Sequence, residues 1–238
     1  MNEIVDLNLV REAKKGDKKA RNRLAVRIWG PLRAYVYRRT LDEDLSEDIV
    51  QESIIEMFKV LGKLRRDDRF WPWLCKIALN KVRGHYRSRR REYSARRKMS
   101  ERIPVLQKGQ KAVAGLVSEE LQEIVLGAMK KLKLSHREVI SMRCYEDMEY
   151  ADIAEVMGCS ELNARITFFR AKKSLQRQLS RSGFTRGSLL SALILFGQMT
   201  APDKAAAGAV SVSPAALKTG FAAGAAAVAA SKSALITV

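Results

Sequence analysis

The most diagnostic stretch of the chain, residues 150–179, is YADIAEVMGCSELNARITFFRAKKSLQRQL. Its first helix is predicted to bury Ile153, Ala154 and Met157. It is predicted to end at Gly158, because glycine tolerates the positive φ of a tight turn. Ser160 then stands where a side chain can cap a second helix. The pattern predicts a helix-turn-helix, a motif that inserts the first turns of its second helix into the major groove of DNA. The alternative is a plain helical hairpin with a solvated basic face.

A second helix with a marked charge pattern is predicted from about Trp71 into a run of basic residues. Five of its polar side chains are spaced by four, three, four and three residues and therefore share one face: Lys76, Asn80, Arg83, Arg87 and Arg90. A cationic stripe of this kind binds phosphates without reading sequence, while neighbouring aromatic rings offer stacking surfaces for bases. Trp73 is expected to anchor the start of the helix in the core. For Trp71, a core position and a DNA contact both remain open.

The preceding helix, predicted over about 44–61, is acidic in an otherwise basic chain. Seven acids and no Lys or Arg lie between Thr40 and Phe58: Asp42, Glu43, Asp44, Glu47, Asp48, Glu52 and Glu56. Four of them follow one another at i, i+4 spacing, which costs an isolated helix roughly 0.2–0.5 kcal/mol per like-charged pair. Two interpretations stay open: a solvated face that balances basic neighbours, or a docking surface for a basic protein partner.

The formal charge of the 238-residue chain is +18, and its isoelectric point is about 10.1. A field of that sign attracts polyanions, either nucleic acid or an acidic membrane face. The three cysteines have no CxxC spacing, so we expect neither a disulfide framework nor a metal site, and no motif indicates a cofactor. The amino terminus is charged and lacks an apolar signal segment, which favours a cytoplasmic protein.

Helical periodicity runs through both halves of the chain, and no segment alternates apolar and polar residues over the length of a strand. We therefore predict an all-α fold. Gly16 and Asp17 are predicted to end one helix and cap the next, and Ser135 and Glu138 to form a capping box. Changes in composition divide the chain into a helical domain, a linker, a second helical domain and an Ala/Gly/Ser-rich C-terminal extension, at residues 5–93, 94–117, 118–182 and 183–238.

Four segments in order resemble the sigma factors of bacterial RNA polymerase, specifically the small two-domain extracytoplasmic-function (ECF) type. They are LVREAKKGDKKARNRL (9–24), LSEDIVQESIIEMFKVL (45–61), WPWLCKIALNKVRGHYRSRRRE (71–92) and MEYADIAEVMGCSELNARITFFRAKKSLQ (148–176). The resemblance covers about residues 5–182. It implies a region 2-like helical bundle and a region 4-like helix-turn-helix joined by a flexible linker. It also implies a protein that binds core RNA polymerase and directs promoter-specific transcription initiation without catalytic activity of its own.

The resemblance assigns the acidic helix to polymerase docking. In this family the corresponding residues contact a coiled coil of the largest-subunit clamp, and here they are Asp48, Gln51 and Glu52. The basic helix, with the loop at 62–69, is implied to melt and read the minus-ten element of promoter DNA. A base flipped out of the stack is held there, so strand opening needs no nucleotide hydrolysis. The residues implied are Trp71, Lys76, Asn80, Arg83, Tyr86, Arg87 and Arg90.

The helix-turn-helix is implied to read the minus-thirty-five element as duplex. The residues implied are Ser160, Glu161, Asn163, Arg165, Thr167, Phe168 and Arg170. Where the family commonly has Lys-Ser-Arg, this chain has Arg165, Ile166 and Thr167. The upstream element that it prefers is therefore expected to be unusual.

The C-terminal extension resembles the Ala-rich tails of some sigma factors of this type. Its apolar runs are shorter than the roughly 20 residues that a spanning helix needs, so we do not expect membrane association. The apolar residues Leu189, Leu190, Leu193, Ile194, Leu195 and Phe196 are hypothesised to form a helix that folds back on the sigma domains. Regulation is then expected either from self-inhibition by this extension or from a separate anti-sigma protein.

Two other functions were weighed against the sigma factor. The first is a helix-turn-helix transcriptional regulator that does not dock on polymerase, which leaves the acidic helix unexplained. The second is a metal-dependent nuclease. It is disfavoured because the acids lie on one helix stripe, and because the two histidines lie in different domains and offer no acid-base pair.

Overall fold

A computed structural model describes residues 6–97, 116–183 and 188–202. The chain divides into two compact units at residues 113 and 114. Most of the predicted linker and of the predicted C-terminal extension lies outside the described residues. The described residues contain helices and turns but no strand, which confirms the predicted all-α fold.

The first unit is a bundle of α-helices with two short 3-10 turns, at Leu61–Lys63 and Asp67–Arg69, before its last helix. The helices are α1 (Leu7–Lys14), α2 (Lys18–Thr40), α3 (Glu43–Val60) and α4 (Phe70–Arg97). Helix α2 is central, because it packs against α1, α3 and α4, and α3 also packs against α4. This arrangement places the acidic helix α3 beside the basic helix α4.

The helix boundaries of the first unit follow from local chemistry. Gly16 has a φ of 97°, a conformation that favours glycine, and it separates α1 from α2. The Asp17 carboxylate accepts hydrogen bonds from the backbone N–H groups of Lys19 and Ala20, at 3.0 and 3.3 Å. The predicted stop and cap at these two positions are therefore confirmed. Asp42 caps α3 in the same way, by accepting from the Leu45 N–H.

The core of the first unit holds a charged group against an aromatic one. Arg39 is fully buried, and its guanidinium lies 3.2 Å from the centroid of the Tyr35 ring. The same guanidinium donates to the Tyr35 carbonyl oxygen. The Tyr35 hydroxyl in turn donates to the Cys75 carbonyl oxygen at 3.2 Å, and the ring meets Trp71 edge-on. These contacts join α2 to the start of α4.

The described part of the second unit is also helical. Its helices are α5 (Leu116–Lys130), α6 (Leu134–Cys144), α7 (Tyr150–Met157), α8 (Glu161–Ser180) and α9 (Ser188–Met199). Helix α8 packs against α5, α6, α7 and α9, and α9 also packs against α5. The long helix α8 is therefore held from several sides while part of its surface stays open.

Helix α9 belongs to the packing of the second unit. Leu189, Leu193 and Phe196 are buried, and the other three apolar residues hypothesised to fold back are half-buried. The Tyr145 hydroxyl donates to the Leu193 carbonyl oxygen at 2.7 Å, and its ring lies 6.0 Å from that of Phe196. Among the residues that the structure describes, no helix has the length and apolar character needed to cross a bilayer.

The capping box predicted at the start of α6 is wrong. The helix begins at Leu134, so Ser135 already lies in its first turn, and the cap position is Lys133, whose side chain makes no cap hydrogen bond. Glu138 is almost fully buried. It packs into the unit and cannot reach back to the exposed helix start, so burial overrides the local capping pattern.

Candidate polymerase and nucleic-acid interfaces

Helix α3 presents its predicted docking residues to solvent. Asp48, Gln51 and Glu52 are exposed, whereas Ile49 and Val50 between them are buried. The three exposed residues follow i, i+3, i+4 spacing and therefore form one stripe. The stripe is not isolated from its neighbours, because the Lys81 ammonium of α4 lies 3.4 Å from the Glu52 carboxylate.

Exposed apolar residues accompany this acidic stripe. Ile55 continues it by one turn and is more than half exposed. Val26 and Trp29 are exposed on the neighbouring helix α2, at a spacing that puts them on the same face as Arg33. Arg33 of α2 lies 3.3 Å from the Glu47 carboxylate, on the flank of the stripe. The surface thus combines uncovered apolar side chains with carboxylates, a composition suited to a protein partner with basic and apolar groups.

The five regularly spaced polar residues predicted on α4 share one face of the helix, but with unequal exposure. Asn80, Arg87 and Arg90 are exposed, and Lys76, Arg83 and Tyr86 are half-buried. The opposite face, which includes Leu74, Leu79 and Val82, is buried in the first unit. The Tyr86 hydroxyl donates to the Thr40 carbonyl oxygen at 3.4 Å, which ties α4 to the end of α2.

Trp71 is a core residue. Only 5% of it is exposed, and its ring packs edge-on against Tyr35 at 6.4 Å. A base cannot stack on it in this conformation. Of the two positions that the sequence left open for Trp71, the structure supports the core anchor, while Trp73 beside it is half-buried against Phe70.

The loop before α4 is held by the first helix. Asp67 accepts hydrogen bonds from Arg11 at 3.1 Å and from Lys14 at 3.3 Å. Burial raises the pKa of the Asp67 carboxyl, but these two hydrogen bonds outweigh it and hold the pKa below its ordinary value. Asp68, next in sequence, pairs only locally with Arg66, at 2.6 Å. The loop therefore enters α4 in a defined position.

The turn between α7 and α8 has the predicted geometry. Gly158 ends α7 with a φ of 69°, and the Ser160 hydroxyl accepts from the Asn163 backbone N–H at 3.2 Å. Glu161, Asn163 and Arg170 are exposed on α8. The first turn of α8, which follows the turn and the cap, is therefore exposed on the surface of the second unit.

Two predicted contact residues of α8 do not face solvent fully. Phe168 is 2% exposed, because it belongs to the buried face that also carries Ala164 and Ala171. Its ring packs against Tyr150 of α7 at 6.1 Å. Thr167 is half-buried. The prediction that Phe168 contacts DNA is wrong for this conformation, and the i, i+4, i+7 spacing with the two alanines was the signal that could have shown it.

Arg165 is held in place by its neighbours. Its guanidinium donates twice to one carboxylate oxygen of Glu161, at 2.6 and 3.1 Å, and lies 4.7 Å from the Tyr150 ring centroid. Arg143 lies at the same distance from that ring. Burial raises the pKa of the Tyr150 hydroxyl, although both guanidinium groups act to lower it. Arg165 is therefore oriented before any ligand arrives.

An apolar stripe lies on α8 that the sequence predictions missed. Leu162, Ile166 and Phe169 are 67%, 39% and 63% exposed. Their i, i+4, i+7 spacing places them on one face, opposite the buried face of the helix. The sequence signal for this stripe was the helical spacing of its three apolar residues on the face of α8 that points away from the core.

Two family models match the chain. "Sigma-70 region 2" matches residues 27–92 and "Sigma-70, region 4" matches residues 122–175, which together make up just over half of the 238 residues. The chain belongs to the sigma-70 family. Helix α3 and most of α4 lie within the region 2 match. Helices α6 and α7 and most of α8 lie within the region 4 match. The protein is therefore a sigma factor, which directs transcription initiation by RNA polymerase.

Curated relatives agree with this family assignment. The chain is 28% identical over 188 residues to the ECF RNA polymerase sigma-E factor of Salmonella typhimurium, covering 74% of this chain and 95% of the relative. It is 26% identical over 180 residues to the RNA polymerase sigma-H factor of Pseudomonas aeruginosa, covering 73% and 93%. These relatives support the ECF type and do not favour a regulator that works without polymerase.

Two solved structures share the fold. One is the sigma factor RpoE in complex with the anti-sigma factor NepR from Bartonella quintana, with a TM-score of 0.54 and 21% identity. It covers 67% of this sigma factor and 96% of the solved chain. The other is CnrH in complex with the cytosolic domain of CnrY, with a TM-score of 0.54, 24% identity and coverage of 74% and 97%.

Proposed function

We propose that this sigma factor docks on core RNA polymerase through the stripe Asp48, Gln51 and Glu52 of α3. The observation that carries the proposal is an exposed acidic stripe in a chain whose net charge is +18. A partner with basic groups gains Coulomb attraction at this stripe. Burial of Ile55 and Trp29 on docking adds an apolar contribution. The partner surface is the coiled coil of the largest-subunit clamp.

Helix α4 is proposed to capture the unwound strand at the minus-ten element. Asn80, Arg87 and Arg90 offer one amide and two guanidinium groups to phosphates and bases, and Lys76 and Arg83 lie half-buried on the same face. Strand opening is then driven by binding energy, without a hydrolytic step. The loop fixed by Asp67 is proposed to guide the strand toward this face.

Helix α8 is proposed to bind the minus-thirty-five element in duplex form. The positive end of the helix, capped by Ser160, and the exposed Arg170 are placed to contact phosphates. Asn163 is the exposed amide able to bond a base edge. Arg165 is also exposed, against Glu161. Because both DNA elements and the polymerase are needed for this function, the working location is the cytoplasm.

Regulation by an inhibitor is also proposed. The two solved structures described above each contain a second protein bound to the sigma factor, and one of these second proteins is named as an anti-sigma factor. We propose that a separate anti-sigma protein controls this factor, or that its own C-terminal extension does so. Since α9 packs into the second unit, a truncation that tests the extension has to retain residues up to 202.

The test is run-off transcription with purified core polymerase and a pool of genomic promoter fragments. Wild type is compared with Asp48→Arg plus Glu52→Arg, and specific initiation is expected from wild type only. Reversing two charges adds four positive units and strengthens non-specific DNA binding. Glu120→Arg plus Glu123→Arg, on the exposed side of α5, makes the same charge change elsewhere and serves as the control.

The outcomes separate docking from charge. Loss of initiation and of polymerase co-purification in the α3 variant alone supports the proposal. Loss in both variants assigns the effect to net charge and contradicts it. DNA binding without initiation by wild type would favour the regulator that does not dock on polymerase.

A further inference from the structure

The exposed face of α8 has an unusual composition for a DNA-facing helix. Each residue advances about 100° around a helix, so Leu162, Ile166 and Phe169 fall within one narrow stripe. The buried residues Ala164 and Phe168 lie on the other side. Single exposed apolar residues are ordinary, whereas three consecutive ones on a single helix face indicate a binding surface.

The described neighbours of α8 do not cover this stripe. Helices α5, α6, α7 and α9 all pack against α8, yet the three residues keep between 39% and 67% of their surface exposed. Packing of the second unit therefore does not account for the stripe within the part of the chain that the structure describes. The stripe is therefore available to a ligand.

The surroundings of the stripe identify the chemistry of that ligand. Arg165 and Arg170 flank it and Lys173 follows it, and all three are exposed. The N-terminus of α8, with its cap at Ser160, adds the positive end of a helix dipole. Cations around an apolar centre suit a polyanion that displays apolar groups. Duplex DNA has this character in the major groove, where thymine presents its C5-methyl group.

Few groups on this part of α8 are free to read bases by hydrogen bonds. Arg165 already donates twice to Glu161, Thr167 is half-buried and Phe168 is buried. Asn163 and Arg170 remain as the exposed polar candidates. Exposed apolar side chains therefore make up more of the surface that α8 can present to base edges than hydrogen-bonding groups do.

We propose that Leu162, Ile166 and Phe169 select thymine in the upstream promoter element by contacting its methyl group. The inference rests on the proposed binding of duplex DNA by α8 and adds the sequence feature that is read. Seven residues of helix rise about 10 Å, which matches about three base steps of about 3.4 Å each. The thymines lie within three or four successive base pairs, on either strand of the groove.

The experiment measures holoenzyme binding to a promoter whose upstream element was selected from a randomised library. Each thymine in that element is then replaced by deoxyuridine, which removes the methyl group and keeps the hydrogen-bonding edge. For wild type, each replacement within the contacted steps is expected to weaken binding about three- to five-fold, as loss of one buried carbon group does.

Two variants make the test specific. Leu162→Gln, Ile166→Gln and Phe169→Gln together replace the three exposed apolar side chains with polar amides, and this triple variant is expected to bind thymine and deoxyuridine promoters equally. Arg170→Gln removes a flanking cation, and it is expected to weaken binding to both promoters by the same factor. Helix content measured by circular dichroism verifies that both variants are folded.

The outcomes are distinguishable. If wild type binds both promoters equally while Arg170→Gln loses affinity, α8 binds duplex DNA but the methyl contact is overturned. If neither variant nor deoxyuridine changes binding, the proposed DNA contact of α8 itself fails. If the apolar variant loses polymerase binding and keeps DNA binding, the stripe is a protein-docking surface and the inference is overturned.

Discussion

Helices α4 and α8 both carry a buried face and a basic exposed face, yet the centres of their exposed faces differ. On α4 the centre is polar, with Asn80, Arg87 and Arg90 exposed. On α8 the centre is apolar, and Arg165 and Arg170 lie at its edges. A polar cationic face suits phosphates and unpaired bases, whereas an apolar face with cationic edges suits the floor of a groove between two backbones. The difference indicates a division of labour between an unwound strand and a duplex.

The two helices also differ in what holds them. The start of α4 is fixed by Trp71 against Tyr35, deep in the core of the first unit. Helix α8 depends instead on its neighbours, among them α9, which comes from beyond the predicted helix-turn-helix domain. Changes to α9 are therefore expected to impair the binding of duplex DNA by α8 and to leave the binding of the unwound strand by α4 intact.

The largest expected effect is the loss of that support. Phe196 of α9 is fully buried beside Tyr145, so Phe196→Ala is expected to destabilise the second unit by about 3–5 kcal/mol. Chemical denaturation of the full chain, followed by hydrogen exchange in α8, measures this. Truncation after residue 202 is the control and should leave α8 as protected as in wild type. Equal protection of α8 in Phe196→Ala and wild type would contradict the dependence on α9.

A second prediction reverses charge on α4. Arg87→Glu plus Arg90→Glu replaces attraction to phosphates by repulsion, and open-complex formation is expected to fall roughly 100-fold near physiological salt. Permanganate reactivity of unpaired thymines reports the opening. Lys18→Glu plus Lys19→Glu, exposed at the start of α2, is the matched control. An equal decrease in both variants would mean that net charge, and not the α4 face, controls opening.

A third prediction concerns the loop that leads into α4. Asp67→Asn weakens the ion pairs with Arg11 and Lys14. Partly exposed ion pairs of this kind stabilise a protein by about 0.2–1 kcal/mol each. Promoter opening is expected to decrease by a few-fold at most, with upstream duplex binding unchanged. Asp68→Asn is the control, because Asp68 pairs with Arg66 inside the loop and not with α1 in the part of the chain that the structure describes. If upstream duplex binding decreased together with promoter opening, the proposal that α4 and α8 have separate functions would be contradicted.

The smallest expected effect is on pH dependence in the second unit. Burial lowers the pKa of His136 below 6.5, and the charges of Lys133 and Arg170 lower it further. The unfolded chain therefore takes up the proton at a higher pH than the folded chain does. Stability is unaffected well above pH 6.5 and falls as the pH drops below it. His136→Gln should flatten this fall in denaturation curves measured between about pH 7 and pH 5, and an unchanged slope would contradict it.

Local chemistry made much of the fold predictable. The Gly16 and Asp17 boundary, the turn at Gly158 and the cap by Ser160 each depend on a few neighbouring residues, and all are present in the structure. The capping box at Ser135 failed because Glu138 is drawn into the core. A local pattern predicts correctly only where tertiary packing does not compete with it.

The site was less predictable than the fold. Residue type and spacing placed Asn80, Arg87 and Arg170 on exposed faces, where the structure has them. The buried face of α8 was missed, although the i, i+4, i+7 spacing of Ala164, Phe168 and Ala171 puts Phe168 inside and leaves Phe169 outside. The apolar residues of 189–196 predicted a helix that folds back, and α9 does pack on the second unit, but its partners α5 and α8 were not predicted because these contacts are distant in sequence.

The most direct test of the division of labour is transcription from a promoter opened in advance by a short mismatched bubble at the minus-ten element. Asn80→Ala plus Arg87→Ala on α4 is compared with Leu162→Gln plus Ile166→Thr on α8, each on the bubble and on the matched duplex. The bubble is expected to restore most of the transcription by the α4 variant, because the minus-ten strands are already unpaired. The α8 variant is expected to remain defective on the bubble, because its upstream contact is still missing. Equal rescue of both variants, or of neither, would contradict the account.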